Sequence, residues 1–405
     1  MANTLKFGNG QWATGNGTAL AYNDENSNFK PLPFDFTRAS SGTTVNQSGL
    51  IETVGSGIPR IDFQGNTKGA LLLEPSRTNE VTNSVDLLEY FNNTATVTDT
   101  ANSTTSPNGN KTAYKYQGNG TSTSVRLFEN RSFTENTDYC LSVFAKAGTN
   151  NFLQLGILGV SGGRTVYFDL FSVSASSEFG KIENYGNGWF RCSMIASVSS
   201  GDLAGNANIY ITKSISVTAF DSNLEAQNAT MFLWGAQLEA GSYATSYIPT
   251  SGSAVTRVAD ACGGAGNEQV FNGSEGAIFL NFASYGDYVI SLDNGTATNR
   301  IQFFRTATND RIYIMIGGTF IINEIYRLTS NGVYNKYALS YESGNILLYV
   351  NGSLLRTYTT PFTSTPFTKF RLNQYDNNAS VSLSLIESKI YNTDLSNAEL
   401  KSLTT

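Results

Sequence analysis

Side chains able to do chemistry are few in this 405-residue sequence. There is no histidine, so a Ser-His-Asp triad, a Cys-His pair, His-ligated zinc and imidazole acid–base work are all excluded within one copy of the chain. Three cysteines are too few for a disulfide scaffold, and an odd number leaves one over. Cys140 and Cys192 fall in strand-like runs, Tyr139 to Ala145 and Trp189 to Ile195, and are expected as small buried apolar residues. Cys262, in Ala261-Cys262-Gly263-Gly264, has no base or ligand beside it in the sequence and is assigned no chemistry.

The 32 Asp and Glu residues leave sugar hydrolysis by two carboxylates as the enzyme reading to test. The Glu-x-Asp-x-Glu strand signature of sandwich-type glucanases is absent, and no acid pair stands in an apolar setting that would raise one pKa. Metal ligation is equally thin. No Asp-x-Asn-x-Asp-Gly calcium loop occurs, and the nearest oxygen cluster, Asp221-Ser222-Asn223-Leu224-Glu225, reads as a solvated turn. A structural calcium held through backbone carbonyls would leave no trace in the sequence; no other cofactor is expected. The phosphate loop is missing as well. The chain is therefore expected not to be an enzyme.

Surface recognition is what remains. Aromatic faces stack on sugar rings and amides bond their hydroxyls, and 12% of the chain is aromatic. Candidate glycan-binding residues are Tyr167, Tyr185, Trp189 and Tyr210 in the middle of the chain, then Tyr285, Tyr288 and Asn294 further on. The competing reading for each is simple packing, since most aromatics on sandwich strands belong to a core. A net charge of −6 with no basic run argues against nucleic acid or an anionic membrane as partner. Met1 to Leu20 lacks the apolar stretch of a signal peptide, and no window resembles a membrane-spanning helix, so no membrane insertion is expected.

The elements that must position these residues are strands. Only 14% of residues are charged, against about 25% in typical soluble proteins, and 38 glycines mark many turns. Period-2 runs such as Phe152-Leu153-Gln154-Leu155-Gly156-Ile157 and Arg311-Ile312-Tyr313-Ile314-Met315-Ile316 recur at short spacing. Asn351-Gly352 is a strong hairpin signal, and Ser396-Asn397-Ala398-Glu399 is a capping box opening one short helix, Ala398 to Leu403. The expected fold is all-β: two tandem β-sandwiches behind an irregular β-rich N-terminal region. The boundaries read are 1–83 for that region, 84–250 for a jelly roll, 251–267 for a Gly/Ser/Ala-rich linker and 268–405 for a second sandwich. Residues 1–83 are too thin in apolar runs to build a large core alone, so burial against another subunit or a lattice is expected to supply the rest.

Three stretches carry a resemblance. They are Pro59-Arg60-Ile61-Asp62-Phe63 with Leu71 to Asn79; Gly186-Asn187-Gly188-Trp189-Phe190-Arg191-Cys192; and Leu233 to Glu239 running on to Thr245-Ser246-Tyr247-Ile248-Pro249-Thr250 and Thr256 to Asp260. Together they resemble tailed-bacteriophage virion proteins of the head-fibre, capsid-decoration and tail-fibre kind, in which a carbohydrate-binding-module-like jelly roll follows an attachment region. The last block, through Tyr349-Val350-Asn351-Gly352, Ile390-Tyr391-Asn392 and Leu395 to Leu400, resembles a concanavalin-like or laminin-G-like lectin sandwich. The resemblance implies a non-enzymatic structural protein on the virion surface, a capsid decoration or head fibre that adheres to host or mucosal glycans. The alternatives it leaves are a tail-fibre receptor-binding protein or a virion polysaccharide depolymerase. Its implied partners are capsid or other virion proteins, cell-surface or mucosal glycans, and further copies of itself, with a trimer expected. The motifs themselves resemble structural ones, with Trp234 and Gln237 on a core strand and Tyr247-Ile248-Pro249 as a strap.

Overall fold

A computed structural model describes residues 5–23, 28–91, 97–119, 125–201, 203–212, 228–306, 309–328, 331–364, 366–373 and 381–405. The Asp221–Glu225 cluster lies outside them. Among the described residues the chain is all-β, with antiparallel pairing throughout and one α-helix, Asn397–Thr404. It forms two compact units: one from residues 1–47, 53–76 and 258–405, the other from 48–52 and 77–257.

The 77–257 unit is a two-sheet sandwich. Its six-stranded sheet runs Val97–Thr104, Ala113–Gly118, Thr230–Ala240, Thr137–Ala147, Trp189–Val198, Gly180–Asn184. The five-stranded sheet runs Arg126–Ser132, Ala204–Thr212, Phe152–Leu158, Arg164–Asp169, Ser174–Ala175. Alternation sends Tyr139, Leu141, Val143 and Ala145 into the core, together with Cys192, Met194, Ala196 and Val198 from the neighbouring strand. The same alternation turns Ser142, Phe144 and Lys146 the other way. In Thr230–Ala240 the phase is reset by a bulge at Gly235, where φ is +64° and an added Cβ would lie 2.8 Å from the Phe144 ring. Met231 and Leu233 before the bulge, and Ala236 and Leu238 after it, therefore all face the core.

This bulge frees Gln237 and Glu239 to hold a strap over the sheet's other face. Gln237 Oε1 accepts from the Ile248 N–H at 2.7 Å, and Glu239 accepts from the Thr245 N–H at 2.9 Å and its hydroxyl at 2.6 Å. Asn79, fully buried, donates to the Ala236 and Ile248 carbonyls and accepts from the Val81 and Leu238 amides. Phe144, Trp234 and Tyr247 pack beneath the strap, with Trp234 and Tyr247 centroids 4.6 Å apart. The third resemblance stretch is thus a polar clamp and its aromatic filling, and Trp234 and Gln237 sit on the core strand as read.

The other unit is also a sandwich. Its larger sheet includes Ala261–Gly263, Asn28–Thr37, Thr18–Asn23, Leu5–Gly8, Leu383–Tyr391, Glu275–Ala283, Asn335–Glu342, Asn345–Val350 and Ser353–Tyr358 in that order. The smaller one runs Thr319–Leu328, Asn309–Ile316, Arg300–Thr306, Tyr288–Asp293, Lys369–Arg371. Residues of the N-terminal region do not stand apart: Leu5–Gly8 pairs with Leu383–Tyr391, placing Leu5 opposite Ile390, and Ala70–Leu73 joins the same strand. Leu5, Phe7, Phe34, Leu71 and Leu73 share one core with Ile278, Leu339 and Leu383. The expected partition at residue 83 accordingly meets a different grouping. These five residues of the N-terminal region are thus buried against the last block of the same chain.

Two buried arginines knit this unit. Arg60 donates to Glu74 at 2.8 Å and to Asp260, while Arg38 donates to the other Asp260 oxygen at 3.0 Å and to the Gly55 carbonyl at 2.7 Å. Burial would pull the Arg60 guanidinium down, but Asp260 and Glu74 outweigh it and hold it above the ordinary arginine value. The Arg60, Glu74 and Asp260 motif residues are therefore structural. The capping box forms as read: the Ser396 N–H donates to the Glu399 carboxylate at 2.8 Å, and Leu400 closes a small cluster with Phe279 and Tyr349.

Candidate functional site

In the 77–257 unit a cleft of about 320 Å³ opens beside the Gly180–Asn184 to Trp189–Val198 hairpin. Its wall includes Leu50, Pro107, Lys146, Tyr185, Asn187 and Trp189. The hairpin loop is built by three residues with positive φ: Gly186 at 75°, Asn187 at 51° and Gly188 at 79°. Such angles suit Gly and Asn and strain most other residues. The loop closes through Trp189 N–H to Gly186 C=O at 2.8 Å and Tyr185 N–H to Trp189 C=O at 2.9 Å. Gly-Asn-Gly-Trp is thus the sequence of a tight turn that presents Tyr185 and Asn187 on the cleft.

The opposite wall comes from residues 104–107. Trp189 Nε1–H donates to the Thr105 carbonyl at 2.8 Å, so the indole is tied to that wall. Pro107 accepts from the Ile51 N–H at 3.0 Å, which seats Leu50 at the rim. Trp189 is only 1% exposed and forms the floor. Tyr185, half-buried, stands edge-on to Phe144 with centroids 4.8 Å apart, and this contact fixes the ring at the entrance. Behind it, burial pulls the Arg191 guanidinium down while Tyr185, Glu239 and Glu183 outweigh that effect and hold it above the ordinary value. Lys146 pairs in register with Trp189, and its stem lies over Gly188: a Cβ built there would sit 3.5 Å from Cε.

The cleft therefore combines an aromatic ring, an apolar rim, an amide and an ammonium. Sugar rings offer an apolar face and polar edges, and this is the combination such ligands require. No Asp or Glu is among its lining residues.

Seven candidates were read from the sequence, and the structure brings together two pairs of them. Tyr185 and Trp189 share this cleft. Tyr167 and Tyr210 lie in one cross-strand row, each opposite Gln154, with Arg126 donating to the Tyr210 hydroxyl at 3.2 Å. Both tyrosines of that row are buried, at 4% and 9% exposure. The last three scatter. Tyr288 is a core residue packed on Phe282 at 4.9 Å, Tyr285 lies against Gly332, and Asn294 caps the Thr296 turn by accepting from its N–H and hydroxyl. For Tyr288 the cause is the period-2 register, which points it between the sheets with Ile290 and Leu292.

Lys146, Leu50 and the 104–107 wall went unread because they reach the cleft through strand pairing and loop packing. Asn187 carried a signal in the Gly-Asn-Gly-Trp motif. A second depression, of about 630 Å³, lies in the other unit beside Tyr334, Lys336 and Lys401. Its one aromatic is occupied: the Tyr334 hydroxyl lies 2.7 Å from Ser384 Oγ and is pushed up to about 12 by burial. Among the described residues no three His, Cys, Asp or Glu side chains group as a metal ion would need. All three cysteines are buried free thiols, raised by burial above the ordinary thiol value.

The class these features define is an all-β sandwich protein with a surface cleft lined by aromatic rings, an apolar rim, an amide and an ammonium. No family model matches the chain, and no curated protein sequence does. Solved structures give partial likenesses. A Ruminococcus gnavus IT-sialidase CBM40 bound to α2,3-sialyllactose is similar at 18% identity over 35% of this chain and 94% of its own, with a TM-score of 0.30. Domain 4 of AbnA, a GH43 extracellular arabinanase from Geobacillus stearothermophilus in complex with arabinotriose, is similar at 12% identity over 40% and 82%, TM-score 0.30. Mouse laminin α1 domains LG4-5 are similar at 10% identity over 68% and 86%, TM-score 0.22. At these scores the site stands on its own residues.

Proposed function

We propose that the protein binds glycans without transforming them, and that the Tyr185–Trp189 cleft is where the sugar sits. The carrying observation is a cleft whose half-buried tyrosine ring, exposed amide and lysine ammonium surround a space at the low end of ligand-pocket size, about 300–1,000 Å³. That size suits one terminal sugar. The resemblance of its sequence motifs to those of tailed-phage virion proteins supports placing the protein on a particle surface, as a capsid decoration or head fibre bound to capsid proteins and other copies of itself, a trimer by that resemblance. Many copies on a particle would raise weak single-site affinity into useful avidity.

A glycan array printed at high density tests the reading, with the wild-type chain and Tyr185→Ala side by side. Expected is a set of bound glycans whose signal falls about tenfold or more in the variant, which corresponds to about 1.4 kcal/mol of lost ring contact. A blank array, or binding indifferent to Tyr185, overturns the site. New reducing ends released from capsule, abolished by one Asp or Glu substitution, overturn the non-enzyme reading in favour of a depolymerase.

A further inference from the structure

We infer that the cleft selects an acidic sugar, one bearing a carboxylate or a sulfate, and that Lys146 is the residue that selects it. This rests on the reading of the cleft as a glycan site. The six-stranded sheet turns Lys146 outward in the same cross-strand row as Trp189, and the absence of a side chain at Gly188 leaves room for its stem to run toward the opening. Lys146 is the one charged residue lining the cleft. No ion pair to it forms among the described residues, although the sequence carries six more acidic than basic side chains. Glu183, on the hairpin strand that leads into the Gly186 turn, meets Lys181 at 2.7 Å.

An unpaired ammonium in a cleft also lined by an apolar residue, two aromatic rings and an amide is a ready partner for an anion. A charge-assisted hydrogen bond to an anionic oxygen is roughly twice as strong as a neutral one, and a partly enclosed site screens it less than open solvent does. Neutral hydroxyls would leave that ammonium poorly matched, so discrimination should come from the charge, while Tyr185 and Asn187 hold the ring itself. The lysine donates three hydrogens from a flexible stem, which fits either a carboxylate or a sulfate.

The test titrates the full chain with short oligogalacturonides, with neutral galacto-oligosaccharides and with sulfated galacto-oligosaccharides, following Trp fluorescence and calorimetry at low and high salt. Expected is a preference of about tenfold or more for an acidic probe over the neutral one, shrinking as salt rises. In Lys146→Gln the ratio of acidic to neutral affinity should collapse toward one, and Lys146→Arg should restore part of it. The two acidic arms tell carboxylate from sulfate recognition. Unchanged thermal unfolding of both variants shows that the fold is intact. Equal affinity for acidic and neutral probes, or a preference that survives Lys146→Gln, overturns this inference and leaves the glycan site standing. Failure of every sugar to bind instead overturns the glycan site itself.

Discussion

Asn79 is the residue on which the strap of the 77–257 unit depends most. Replacing it by alanine strands two carbonyls, of Ala236 and Ile248, and two amides, of Val81 and Leu238, at a position with no exposure. Carbonyls have a second lone pair and tolerate the loss better. Counting the two amides alone, at about 1–3 kcal/mol for each unsatisfied buried group, gives a cost of about 2–6 kcal/mol. Against a typical domain stability of about 5–15 kcal/mol, that brings this unit close to unfolding. Trp189 and Trp234 both belong to it, so urea denaturation followed by Trp fluorescence reads the transition directly. The midpoint should fall while the slope stays constant. Asn79→Asp should cost at least as much at neutral pH, because a carboxylate would then face the two carbonyls. A loss under about 1 kcal/mol in Asn79→Ala would refute the clamp as the source of this unit's stability.

Two further expectations concern acid and thiol chemistry. Burial raises the Asp62 carboxyl above its ordinary value, against the opposing pull of the Val45 and Gln64 amides and the Thr44 hydroxyl. A raised carboxyl pKa means that the folded state holds the proton more tightly. The stability linked to this group is fully present below the ordinary value near 3.8 and is lost as pH rises through the folded one. Subtracting the denaturation profile of Asp62→Asn from that of wild type should show this downward step, and a flat difference counts against it. Cys140, Cys192 and Cys262 should resist a water-soluble disulfide reagent in the native protein and react together once denatured. Rapid labelling of any one of them before unfolding would contradict its burial.

Local order was readable in the sequence. The alternation in Tyr139 to Ala145 marks the strand Thr137–Ala147, and Asn351-Gly352 turns between Asn345–Val350 and Ser353–Tyr358 with φ of 46° and 80°. Both are short-range effects of side-chain period and backbone sterics. The grouping into units was not readable, because the pairing of Leu5–Gly8 with Leu383–Tyr391 joins segments far apart in sequence and no turn residue announces it. The same limit applies to the site. Tyr185 and Trp189 sit next to a turn that names itself, whereas Lys146 becomes their neighbour only through strand register. Tyr167, Tyr210 and Tyr288 show a further limit: aromatic identity says nothing about which face of a strand is covered, and here all three are buried.

The sheet that unites Leu5–Gly8 with Leu383–Tyr391 also sets a timetable for the ribosome. At about 5–20 residues per second, the first strand waits on the order of 20–80 s for its partner to be synthesised. Residues 77–257 can close on themselves in the meantime. Until translation reaches residues 381–391, the nascent amino-terminal segment trails an unpaired β edge, the kind of surface that recruits chaperones or neighbouring chains. Yield in a host should therefore track elongation speed and chaperone supply more closely than the stability of the finished molecule.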